Sequence, residues 1–145
     1  MATKILKFFK YPTGFKLLLL RVLLESAKNE LYLKTKLYKP IKHLHINQEN
    51  AMDDEIPEHE LPALSQMSKA MKLVEKFAPW KPMCYNRALT AKNILAKKGI
   101  HTNLHIGFRK KDGEFDGHAW ITYRGKFVTG LLPGIKSFRE LESIT

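Results

Sequence analysis

The chain of 145 residues has a single cysteine, Cys84. One thiol closes no disulfide within the chain, so a disulfide scaffold is excluded, and with it a Cys-rich structural zinc site. Long apolar runs are also missing. The longest near the N-terminus, residues 15–24, is broken by Lys16 and Arg21 and falls far short of the roughly 20 residues that a spanning helix needs. The opening Met1-Ala2-Thr3-Lys4 leads to no charge-free core with a small-residue cleavage site, so no signal peptide is expected. Internal repeats and low-complexity tracts are absent. Acids are scarce, fourteen against twenty-five Lys and Arg, for a formal net charge of +11. What is present is an ordinary globular share of apolar residues, 44%, which excludes wholesale disorder. Together these features predict one compact cytoplasmic domain with its thiol reduced.

The charge is unevenly placed. Residues 1–46 carry ten Lys/Arg and two acids, residues 47–60 carry six acids and no Lys or Arg, and residues 61–145 carry fifteen bases and six acids. The chain therefore divides into a basic N-terminal helical extension (1–46), an acidic linker (47–60) and a basic core (61–145). A surface of this sign attracts nucleic acid, anionic lipid or acidic peptide by long-range steering, and it also serves simply to keep a protein in solution. A nucleic-acid-binding module is the weaker reading, because no recognition-helix pattern or aromatic-basic strand motif accompanies the charge. Near the N-terminus Ile5, Leu6, Phe8 and Phe9 interleave with Lys4, Lys7 and Lys10, which suits either a membrane surface or a basic helix packed on the core.

Apolar spacing predicts a helix from residue 15 to about 35, with Leu18, Val22, Ala27, Leu31 and Leu33 on its inner stripe. A second covers 61–77, with Leu64, Met67, Met71 and Val74 inward and Pro62 in the first turn, where proline is tolerated. A third covers 83–98, opened by Pro82 and closed by Gly99 at the left-handed C′ position. Cys84, Ala88, Ala91 and Leu95 share one face of it. Beyond Gly99 the period falls to two. Leu104, Ile106 and Phe108 alternate with Asn103, His105 and Gly107, a turn follows at 110–113, and strands are expected at 117–123 and 126–132 around the tight turn Arg124-Gly125. Helices followed by an antiparallel meander make an α+β fold.

A lone cysteine in the first turn of a helix is chemically suggestive, because the unpaired amides there favour a thiolate and can hold an oxyanion. A thiol nucleophile also needs a base within reach. His118, in Gly117-His118-Ala119-Trp120, starts a strand that can lie against the Cys helix. A structural cysteine and an unconnected histidine are the plainer alternative.

The stretch from Trp80 to Gly130 resembles the transglutaminase-like, papain-like cysteine proteases of lasso-peptide biosynthesis, the B-protein leader peptidases. The matching pieces are Trp80, Cys84 with Arg87-Ala88-Leu89, Lys98-Gly99-Ile100, Leu104-His105-Ile106-Gly107-Phe108, Gly117-His118-Ala119-Trp120 and Val128-Thr129-Gly130. The resemblance implies N-terminal helices followed by a core in which the Cys helix packs on an antiparallel sheet. It implies a bacterial leader peptidase in which Cys84 attacks the scissile carbonyl of a lasso precursor peptide and His118 serves as base and then acid. Its implied partners are that precursor and a leader-recognition protein, with a macrolactam cyclase and an exporter as further candidates. No cofactor is implied.

One departure from the family stands out. Its usual Asp, about a dozen residues after the His, is missing, since the neighbourhood reads Val128-Thr129-Gly130-Leu131. A two-residue turn at 124–125 would put Leu131 opposite His118 and Thr129 diagonal to it, whereas a three-residue loop would put Gly130 opposite. Thr129 could then offer a hydroxyl, and Asp116, two residues before His118 on the same strand face, is a weaker alternative. Other possibilities are a bare Cys–His dyad, a main-chain carbonyl holding the ring, or a catalytically weak copy that serves as a scaffold. Position 130 is the place where an Asp would be installed to restore the family pattern. Trp80, Tyr85 and Trp120 are candidates to contact substrate, although Trp80 could equally pack on the helix and Trp120 could shield the pair as a core aromatic. The pairs His43/His45 and His101/His105 have metal-compatible spacing but lack further ligands nearby, so no metal is expected.

Overall fold

The structure, a computed structural model, describes residues 9–35 and 55–140. Among the described residues three helices precede four strands: α1 (Thr13–Lys34), α2 (Leu61–Phe77), α3 (Cys84–Ala96), β1 (Asn103–Lys111), β2 (Glu114–Tyr123), β3 (Lys126–Thr129) and β4 (Arg139–Glu140). Single 3₁₀ turns lie at Glu58–Glu60 and Ile135–Ser137. The sheet is antiparallel with strand order β3-β2-β1-β4. This is the expected α+β layout. The boundary at residue 46, the first eight residues with Ile5, Leu6 and Phe8, and the pair His43/His45 lie outside the described residues. Among the described residues no helix is long and apolar enough to cross a membrane.

The helices end where local chemistry ends them. Pro62 sits in the first turn of α2, where its missing N–H costs nothing. At the far end of α3, Gly99 takes φ 79°. The amide of Ile100 donates to Leu95 O and that of Gly99 to Ala96 O, each at 3.0 Å, which is a Schellman closure. The expected 83–98 helix is therefore shorter by a residue or two at each end. Leu64, Met67, Met71 and Val74 of α2 face inward as their spacing predicts, and so do Ala88, Ala91 and Leu95 of α3.

Helix α1 departs from its expected stripe. Leu31 is 63% exposed, while Ser26 and Asn29 are buried. The polar pair faces inward because α3 offers partners. Ser26 Oγ donates to Asn86 Oδ1 at 3.0 Å, and Asn86 Nδ2 donates to Ser26 O at 3.1 Å and to Glu30 at 2.8 Å. Asn29 Nδ2 donates to Thr90 Oγ1 at 3.0 Å. Buried amides and hydroxyls satisfied in this way fix one register between α1 and the Cys helix.

In the sheet, Leu104 pairs with Ile121 and Ile106 with Ala119, and these residues close the helix-facing core. The opposite face carries His105 beside Trp120 and Gly107 beside His118, with Phe138 packed over them. The β1–β2 hairpin runs longer than expected. Its turn is only Asp112-Gly113, both at positive φ, as a two-residue primed turn requires. Strand β3 is shorter than the expected 126–132. A bulge at Ile121/Thr122 pairs Ile121 with Thr129, and Gly130 then turns left-handed at φ 84° and ends the strand. His118 accordingly has neither Leu131 nor Gly130 as a ladder partner on β3.

Candidate active site

Cys84 is the first residue of α3, held there by an extended Met83, and among the described residues no side chain caps the helix. The first intrahelical bond is from Arg87 N to Met83 O at 3.0 Å. The amides of the first turn are consequently left for an incoming oxygen, at the positive end of the helix dipole. Cys84 as a residue is half-buried.

His118 lies in β2, and its ring packs against two aromatics that also touch each other. It stacks on Trp120 with centroids 5.8 Å apart and 18° between planes, and Phe138 sits 5.6 Å away on a tilt. Trp120 is stacked in turn on His105 at 5.4 Å, and His105 Nε2 lies 2.7 Å from Thr122 Oγ1. Gly107 makes room for this column, since a Cβ there would meet both Phe138 and Trp120 at 3.0 Å.

The ring is oriented by the main chain. His118 Nε2 lies 2.6 Å from Gly130 O. A carbonyl only accepts, so Nε2 carries the proton, and in the neutral ring the lone pair is on Nδ1. Gly130 can do this because it is glycine. Its φ is 84°, and a Cβ would come within 2.6 Å of Trp120 Cβ and 2.9 Å of Ala119 O. An Asp installed at position 130 has no place to go. Ser68 Oγ donates to Val128 O at 2.6 Å and ties this end of β3 to α2.

The other candidates for the third group lie elsewhere. Thr129 lines the cleft, but its Oγ1 is buried without a hydrogen-bond partner among the described residues, and the ring bonds to the neighbouring carbonyl instead. Asp116 is taken by its cross-strand neighbour. Both Nε and Nη2 of Arg109 lie 2.9 Å from Asp116 Oδ2, and the Arg109 guanidinium stacks 4.3 Å over Phe138. Asp116 therefore holds the Arg109 that covers Phe138, and it makes no contact with the imidazole among those the described residues show.

Cys84 and His118 line one cleft with two lobes, about 420 and 460 Å³. Glu75, Cys84, Arg87, His118 and Leu132 are common to both, so the lobes run away from the Cys–His pair in two directions. One leads along α2 and β3 past Met71, Phe127 and Leu131; the other leads along the α2–α3 connection past Lys76, Lys81 and Met83. Arg87, one turn beyond Cys84, forms an ion pair with Glu75 across the cleft.

The expected substrate contacts are placed differently. Trp80 Nε1 donates to Ser26 Oγ at 3.0 Å and the ring packs on the core, away from the cleft lining. Trp120 is 4% exposed and stands behind the His118 ring, in the shielding position. Tyr85 is half-buried against the core and is not among the cleft residues. Sequence reasoning missed the contribution of α2. Ser68, Lys72 and Glu75 follow one another at helical spacing beside the inward stripe of α2, and that spacing was the available signal.

No curated protein and no solved structure is significantly similar to the chain. A family model does match, over residues 32–143, well beyond half of the chain. The cysteine at a helix start, the histidine of the sheet that lines the same cleft and this match lead to one conclusion: the chain belongs to the transglutaminase-like superfamily.

Proposed function

We propose that this protein is a cysteine peptidase that removes the leader from a lasso precursor peptide in the bacterial cytoplasm. The observation that carries the peptidase reading is the placement of Cys84 and His118 on one cleft, with the ring fixed by Gly130 O so that Nδ1 is the basic atom. The superfamily includes cysteine peptidases. The two lobes support cleavage within a chain, because peptide has room to leave the Cys–His pair in both directions. Leader removal and the lasso setting rest on the resemblance carried by Cys84, Gly117-His118-Ala119-Trp120 and their neighbours.

In this reading the Cys84 thiol gives its proton to His118 Nδ1 as sulfur attacks the scissile carbonyl, and first-turn amides of α3 receive the oxyanion. The imidazolium then protonates the leaving amine, which departs as the new N-terminus of the core peptide. Water, deprotonated by Nδ1, attacks the thioester and releases the leader as a free acid, regenerating the thiol. The proposed partners are the precursor, a leader-recognition protein that delivers it, and a macrolactam cyclase and exporter downstream.

The test is mass spectrometry of a precursor incubated with the protein, with and without the recognition partner, and with Cys84→Ala in parallel. One cut that vanishes in the variant is the expected result. One observation favours a second reading, a weak or inactive scaffold that holds precursor: the group orienting His118 is a neutral carbonyl, which stabilises an imidazolium less than a carboxylate does. Precursor bound but uncut, with the recognition partner present, would favour that reading.

A further inference from the structure

The two lobes of the cleft differ in chemistry. The lobe along β3 is lined by Met71, Phe127, Val128 and Leu131 together with Ser68, Lys72 and Thr129. The lobe along the α2–α3 connection carries Lys76 and Lys81 beside Pro82 and Met83. Among the described lining residues of both lobes the one acid is Glu75, and Arg87 already holds it. Lys76 and Lys81 are exposed, and Lys76 Nζ lies 5.5 Å over the Phe77 ring, a contact that leaves the ammonium its hydrogen-bonding capacity. Lys81 stands at φ 46°, where glycine or asparagine would cost less. A turn bond from its amide to Ala78 O at 3.1 Å fixes it there. The lining of this lobe thus includes a lysine held at a costly backbone angle.

We propose that this lobe is a carboxylate subsite. It receives an acidic side chain of the peptide substrate, between Lys76 and Lys81, on one side of the scissile bond, while the β3 lobe takes apolar side chains on the other. The inference rests on the peptidase reading for what the peptide does afterwards, but the binding preference stands apart from it. Two exposed lysines facing one carboxylate give a preference that salt weakens.

The experiment uses quenched fluorescent peptides spanning the precursor cleavage sequence, with Asp, Asn or Lys placed in turn at each of three positions on either side of the cut. The expected result is an Asp-over-Asn ratio of kcat/KM of about fivefold to tenfold on one side only, the size that two partly solvated charge pairs supply. The ratio falls as ionic strength rises. In the Lys76→Glu/Lys81→Glu double variant, checked for an unchanged melting midpoint, the ratio disappears and Lys peptides become the better substrates. Equal ratios on both sides, no acidic preference with cleavage intact, or a preference that survives the charge reversal would overturn the proposal. If no peptide is cut and the full precursor with its recognition partner is not cut either, the peptidase reading fails. The subsite is then decided by fluorescence anisotropy of the same peptides on Cys84→Ala protein. Tighter binding of Asp peptides that is lost in the Lys76→Glu/Lys81→Glu background supports it, and binding indifferent to the acid overturns it.

Discussion

Gly130 O lies 2.6 Å from His118 Nε2, twelve residues further along the chain, at the place where the resembling proteases carry a carboxylate. The bond exists because β3 is shifted one residue by the bulge and then stops, turning the Gly130 carbonyl toward β2. Substitution here should therefore damage the site even when the new side chain is acidic. Gly130→Ala and Gly130→Asp are both expected to destabilise the protein, through left-handed strain of about 1–2 kcal/mol plus the clash with Trp120. Both should lower kcat by at least about a hundredfold, the lower end of what a positioned acid–base group contributes. Thermal melting and precursor cleavage read the two effects. An active, stable Gly130→Asp would show that the ring is held some other way.

Thr129 offers the matching control. Its hydroxyl is buried without a partner among the described residues, so Thr129→Val removes an unsatisfied polar group and is expected to leave stability unchanged or raise it by up to about 1 kcal/mol. Cleavage should remain near the wild-type rate, while His118→Ala abolishes it. Equal losses in the two variants would make Thr129 the orienting group.

How far the site was legible in the sequence follows from the same two residues. Proline and glycine punctuation at Pro62, Pro82, Gly99 and Arg124-Gly125 marked the helices and the second hairpin, and period-two alternation marked the face that carries His118. The orienting group was open to several readings because it is a backbone carbonyl, and no residue letter records one. Its position depends on a bulge between Ile121 and Thr122, which nothing in that apolar run announces. Trp80 stood open between a cleft role and packing on the helix for a different reason. A tryptophan four residues from the cysteine invites a cleft role, but its indole N–H was claimed by Ser26 from a helix 54 residues away in sequence.

The seam between α1 and α3 should be costly to break. Asn86 is fully buried and serves Ser26, Thr90 and Glu30 at once. Asn86→Ala strands several of these groups and is expected to lower stability by about 1–3 kcal/mol. Trp80→Phe, which removes one bond to Ser26, should cost about 1 kcal/mol and leave KM for the precursor unchanged. Urea denaturation and steady-state kinetics check both. A raised KM in Trp80→Phe would return that residue to the substrate site.

Acid should loosen the same seam. Burial pushes the Glu25 carboxyl up, but hydrogen bonds from Lys28 and Asn93 and the charges of Lys28 and Lys97 outweigh it and hold the group below its ordinary value of 4.5. A carboxylate lowered on folding contributes stability above its unfolded value and loses it as pH falls through the folded one. Stability is therefore expected to decline below about pH 4.5, and Glu25→Gln should decline less over that range. Parallel acid profiles for the two proteins would contradict this assignment.

The most direct test of the central claim, that Cys84 and His118 act as one unit across the cleft, is a double-mutant cycle on kcat/KM for precursor cleavage. Cys84→Ala, His118→Ala and the double variant are compared with the wild-type protein. Each single variant is expected to lose nearly all activity, and the double variant no more than either, because two members of one proton-transfer chain fail together. Losses that multiply, or a His118→Ala protein that still cuts at the wild-type rate, would contradict the account.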